Sequence, residues 1–218
     1  METRTQEIFK AVVEEYIKHG NPISSGFLAE ELGFDASPAT LRNELFELEE
    51  MGFLEKPHTS AGRVPTSSGY RFFVDNLLTH EALSPPEQSA LAHCKTFFQL
   101  QDMLASKTHS VVLGWQNEEV REAGFTHLLK EPEFGENDFL VDFMERVERL
   151  REDFDEVIGF LESKQSELYI GQEAKPMVGD SRYSVLLAHA RDKGFFIFFS
   201  PARMDYARAL ALAEYITH

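Results

Sequence analysis

Residues 37–75, SPATLRNELFELEEMGFLEKPHTSAGRVPTSSGYRFFVD, decide how this chain is read. Ser37 is a good helix N-cap, Pro38 suits the first helical position, and Leu41, Leu45 and Leu48 recur on one helical face. Gly52 ends that helix. Phe53-Leu54-Glu55-Lys56 then reads as a short strand, residues 57–63 (PHTSAGR) as a turn-rich tip, and Val64-Pro65-Thr66 as the returning strand. Upstream, residues 3–19 carry an amphipathic pattern with Ile8, Phe9, Val12, Val13, Tyr16 and Ile17 inward, closed by Gly20-Asn21-Pro22. A second helix starts near Ser24-Ser25 and stops at Gly33, and residues 67–80 form a helix leaving the hairpin. Helices followed by a short hairpin predict a winged helix-turn-helix over residues 1–80.

That fold lays its last helix in the major groove and its hairpin beside the phosphates. With the three leucines inward, Ala36, Ala39, Thr40 and Asn43 point outward and Arg42 lies on the flank. Small residues at the leading end let the backbone approach a groove floor. Asn43 can grip an adenine edge through two hydrogen bonds, and Arg42 can take a guanine or a phosphate. On the hairpin, Lys56, His58 and Arg63 bracket Thr59, Ser60, Ala61 and Gly62, whose amides and hydroxyls could donate to phosphate oxygens. The expected DNA contacts are therefore Ser37, Ala39, Thr40, Arg42 and Asn43 on the helix, with Lys56, His58, Thr59, Ser60 and Arg63 on the hairpin. A solvated surface helix, an exposed hairpin and a protein-docking winged helix are the other readings of the same residues.

The stretch resembles the N-terminal domain of the bacterial heat-inducible transcription repressor family HrcA. The resemblance rests on Ala39-Thr40-Leu41-Arg42-Asn43, Leu48-Glu49, Gly52, Leu54, the run Pro57 to Arg63, Pro65-Thr66, Gly69-Tyr70-Arg71 and Val74-Asp75. Looser likeness to that family's GAF-like domain lies in residues 124–134 (GFTHLLKEPEF), in Ile170-Gly171-Gln172-Glu173, and in Pro201, Arg203, Met204, Asp205 and Tyr206. Family members are longer, and place several strands and an inserted dimerising region where this chain runs from Trp115 to Gly124. The resemblance implies a homodimer on double-stranded DNA carrying an inverted repeat upstream of chaperone operons. It also implies a response to heat and to a GroEL-type chaperonin as partner.

The 218 residues, 43% of them hydrophobic, suffice for two modest domains. One cysteine, Cys94, excludes an intramolecular disulfide and is expected as a small buried residue on a helix. The charged N-terminus carries no signal peptide and no apolar run is long enough to span a bilayer, so a cytoplasmic, membrane-free protein is expected. Net charge is −16, of which −6 falls in residues 1–78 and −10 in the remainder. An acidic DNA-binding domain departs from the usual basic footprint. Weak non-specific binding then follows, with affinity depending on two subunits engaging one site.

Beyond a linker at residues 81–87, marked by Pro85-Pro86, residues 88–218 predict an α+β domain, which the resemblance implies is a reduced GAF-like domain for regulation and dimerisation. A helix is expected over about 86–107, then the apolar stretch 110–115, a helix including Phe125, Leu128 and Leu129, and a long helix over about 137–163. Period-two patterning marks strands at 167–170, 183–189 and 195–199, the last two joined through Asp192-Lys193-Gly194, with a closing helix after Pro201 and helices on one side of the sheet. In the long helix Leu140, Phe143, Val147, Leu150, Phe154, Val157 and Leu161 make a 3.5-residue seam. That seam is either the core of its own domain or, in part or with the 86–107 helix, a subunit interface.

No His/Cys spacing suits a metal, no nucleophile elbow or dinucleotide fingerprint occurs, and Gly62 lacks a phosphate-loop context. The expectation is a transcriptional repressor with no enzymatic activity and no cofactor. A transcription factor sensing a small molecule through the GAF-like half is the rival reading.

Overall fold

The computed structural model describes residues 3–57, 62–79, 81–135, 137–161, 165–190 and 194–218. The chain is an α+β protein that divides into two compact units, residues 1–78 and 79–218.

In the first unit, α1 (Thr3–His19) buries Ile8, Phe9, Val12 and Val13, while Tyr16 and Ile17 are half-buried. Helix α2 (Ser25–Glu30) starts where the Ser24 Oγ accepts from the Phe27 amide at 3.1 Å. Helix α3 (Pro38–Glu50) starts the same way, with the Thr40 amide donating to Ser37 Oγ at 3.1 Å and Pro38 in the first turn. Leu41, Leu45 and Leu48 are buried, as their spacing requires. Glu44 is buried too, because Thr5 Oγ1 donates to its carboxylate at 2.7 Å and the Arg4 guanidinium pairs with its other oxygen. Burial alone would raise the Glu44 carboxyl. The Thr5 hydroxyl and Arg4 outweigh that and hold it below its ordinary value.

Strands β1 (Leu54–Glu55) and β2 (Val64–Pro65) pair antiparallel, and Arg63 adds two backbone bonds to Ile23 at 2.9 and 2.8 Å. Gly62 makes that approach possible, since a Cβ there would sit 2.6 Å from the Pro22 carbonyl carbon. Helix α4 (Ser67–Asn76) is anchored by Thr66. Its hydroxyl donates to the Gly52 carbonyl at 2.6 Å and accepts from the Gly69 amide at 3.0 Å. Phe9, Phe53 and Phe72 close the unit as a ring cluster with centroids 4.7–6.0 Å apart.

The second unit is built on a five-stranded antiparallel sheet in the order β4-β3-β7-β6-β5. Its strands are β3 (Val111–Gln116), β4 (Glu119–Ala123), β5 (Ser166–Ile170), β6 (Tyr183–Ala190) and β7 (Gly194–Pro201). Helices cover both faces, where the sequence pattern suggested one. On one face α8 (Asn137–Glu152) and α9 (Phe154–Ile158) pack Phe143, Val147, Leu150, Phe154 and Val157 against Val111, Leu113, Val185, Ile197 and Phe199. On the other, α6 (Phe97–Thr108) stacks Phe97 on Phe196 at 4.6 Å, and Tyr206, opening α11 (Tyr206–Thr217), meets Ser184 at 3.1 Å. Two-sided burial is why β7 reads FFIFF without alternation.

The 3.5-residue seam is therefore core of its own unit, with Leu140 partly buried and Leu161 fully so. The long helix breaks at Asp153. The helix expected over 86–107 also divides, into α5 (Pro85–Ala92) and α6, because Thr96 caps a new start. Cys94 lies in that break, half-buried rather than within a helix. Helix α5 begins inside the segment read as a linker, and Leu83 just before it is buried. Short helices α7 (Phe125–Leu128) and α10 (Lys175–Val178) follow β4 and β5 in the chain. The Arg203 guanidinium, 6% exposed, binds Glu133 and Glu131 at 2.5 Å each, tying together two of the segments that carried the looser resemblance.

Candidate nucleic-acid interface

The outward stripe of α3 runs Ala39, Arg42, Asn43 and Phe46, all exposed, with Glu47 and Glu50 beyond them. Ala36 and Thr40 are half-buried, so the open face is centred one flank away from the Ala36–Thr40 side. Thr40 Oγ1 lies 2.9 Å from Ser37 Oγ, and this exposed hydroxyl pair marks the end of the helix that carries its positive dipole. Arg42 forms no ion pair among the described residues, which leaves its guanidinium available to an incoming anion.

Of the hairpin residues, Lys56 is exposed at the end of β1. Arg63 is placed differently from a simple phosphate contact. Its side chain is 14% exposed, its Nε donates to Glu49 Oε2 at 2.7 Å, and its Nη1 reaches the Gly62 carbonyl at 3.3 Å. The pair ties the foot of the hairpin to α3. His58, Thr59 and Ser60 lie outside the described residues. Phe46 is the residue that sequence reasoning missed. The signal was available, since position 46 falls on the outward side of the wheel that buries Leu41, Leu45 and Leu48.

An exposed helix end bearing Arg42 and Asn43, with Lys56 on an adjoining hairpin, is chemically suited to phosphates and base edges. Among the described residues no group of three or more His, Cys, Asp or Glu could hold a metal ion. The proteins this chain resembles are transcription repressors by name. It is 53% identical over 96 residues to the heat-inducible transcription repressor HrcA of Natranaerobius thermophilus, a match covering 44% of this chain and 28% of that one. With HrcA of Nitrosomonas eutropha it shares 55% identity over 80 residues, covering 37% and 24%. The chain is thus similar to HrcA repressors over part of its length, and the matches span about a quarter of each relative. No protein-family model matches the chain. A crystal structure of a hypothetical protein aligns over all of this chain and 96% of its own, with a TM-score of 0.78 and 19% identity, and shows the fold alone.

Proposed function

We propose that this chain is a sequence-specific, DNA-binding transcriptional repressor of heat-shock chaperone genes. Residues 1–78 serve as a winged helix-turn-helix, and the α+β unit that follows serves as a reduced GAF-like regulatory and dimerisation domain. The observation that carries the reading is the open face of α3, where Ala39, Arg42 and Asn43 stand exposed beside a hairpin bearing Lys56. Two chains on an inverted repeat hold the operator and occlude transcription. Heat, or loss of support from a GroEL-type chaperonin, removes the dimer and releases it. The kinship with HrcA repressors supports this assignment, as does the finding that no helix among the described residues could cross a membrane.

A gel-shift assay of the intact chain against an inverted-repeat duplex and its scrambled counterpart, at two salt concentrations, tests the proposal. Retention of the repeat alone, weakening with salt, is expected. Equal retention of both duplexes would overturn it. A ligand-sensing role gains little from a groove of about 790 Å³ in the second unit, lined by Leu83, Leu91, Leu100 and Ala211 among others. There Gln88 and Tyr215 already donate to the backbone carbonyls of Leu83 and Gln88, and the remaining polar lining is Glu81, Glu214 and His218.

A further inference from the structure

We propose that Phe46 reads the C5-methyl group of a thymine, one step along the groove from the base edge taken by Asn43. The inference rests on the DNA-binding reading and adds a base identity to it. Phe46 is 56% exposed, and it is the one exposed aromatic residue among the described residues of the first unit. The other rings there are buried or half-buried, several in the Phe9–Phe53–Phe72 cluster. Phe46 stacks on none of them.

Its position gives the ring a specific surrounding. Phe46 shares the outward stripe with Ala39 and Asn43 and lies one turn beyond Asn43 and Arg42. Three residues of helix advance about 4.5 Å, against about 3.4 Å between successive bases on a strand. A helix that sets Asn43 on one base therefore brings residue 46 over the next or the one after. A phenyl ring can neither donate to nor accept from a base edge. Of the groups facing the major groove, the thymine methyl is the apolar one, and contact with an apolar side chain is how proteins read it. Glu47 and Glu50 flank the ring, and their charge disfavours phosphate contact at this end of the helix, so an apolar base contact is the one open to Phe46.

The test begins with a duplex enriched by the intact chain from a randomised pool. Each thymine of that duplex is replaced singly by deoxyuridine, which removes the methyl and nothing else. The wild-type chain is expected to lose roughly tenfold in affinity at one thymine per half-site, the usual worth of a missing methyl in an apolar contact. Phe46→Ala loses about as much on the parent duplex and nothing further at the deoxyuridine, whereas Asn43→Ala keeps the methyl sensitivity. Because the ring is exposed, Phe46→Ala should melt at the wild-type temperature, so its loss reads contact and not folding.

Wild-type indifference to every replacement would overturn the inference, as would Phe46→Ala that still discriminates. A variant with normal DNA affinity and altered sedimentation would assign the ring to a protein surface instead. Failure of any duplex to enrich would overturn the DNA-binding reading itself, a result distinct from the others.

Discussion

Asn43 and Lys56 are both exposed, yet the account asks different things of them. Asn43→Ala should cost roughly 1–3 kcal/mol per half-site on the operator and nothing on random DNA, because a base-edge contact carries sequence information. Anisotropy titrations on the two duplexes check this, and an unchanged ratio would remove Asn43 from the readout. Lys56→Ala should weaken both duplexes alike and lower the salt slope by about 1 per half-site, with no change in melting temperature. Arg63→Ala should lower the melting temperature as well, since Arg63 is held by Glu49 and supports the hairpin. Glu44 makes a separate claim about pH. Its folded-state carboxyl lies below its unfolded value, so its contribution is present above that unfolded value, near 4.5, and is lost as pH falls through the folded one. Urea midpoints measured from neutral pH downward should converge for wild type and Glu44→Gln, with the variant weaker by about 1–3 kcal/mol at neutral pH. Parallel curves would mean the Thr5–Glu44–Arg4 contacts do not stabilise the unit.

At the scale of elements, α1, α3 and the hairpin were legible because caps, leucine spacing and turn residues all pointed the same way. Strand β4 was not. Its residues Glu119 to Ala123 include three that are charged and do not alternate cleanly, as befits an edge strand, and the turn before it places Asn117 and Glu118 at φ 52° and 65°. Glutamate in the second of those positions hides a turn that Asn-Gly would have announced. The break between α8 and α9 was hidden for the opposite reason, because the apolar seam runs through Asp153 without interruption and no proline or glycine marks it. Within the candidate site, periodicity was enough to place Ala39 and Asn43 outward, whereas Ala36 and Thr40, expected beside them, are half-buried. The Arg63–Glu49 pair could not, since it exists only once the hairpin folds back on α3. Two element-scale outcomes follow. Gly62→Ala should separate the hairpin from the α1–α2 connection and destabilise the first unit by roughly 1–3 kcal/mol, measured by thermal melting. Leu150→Glu should prevent the second unit from folding, because Leu150 is fully buried within it. A folded, well-dispersed Leu150→Glu protein would contradict the core assignment.

For the whole molecule the charge balance is the governing constraint. A first unit at −6 within a chain at −16 is repelled by DNA at long range, so a single exposed helix face gives little hold by itself. In the proposed dimer, linking two such faces through the second unit would convert the weak second contact into an intramolecular one and restore useful affinity. The most direct measurement is a titration of the intact chain against a full inverted-repeat duplex and the matching half-site, with stoichiometry read by sedimentation. The account predicts two chains per full repeat and an affinity at least roughly 100-fold above that for the half-site. One chain per duplex, or equal affinity for the full repeat and the half-site, would contradict it.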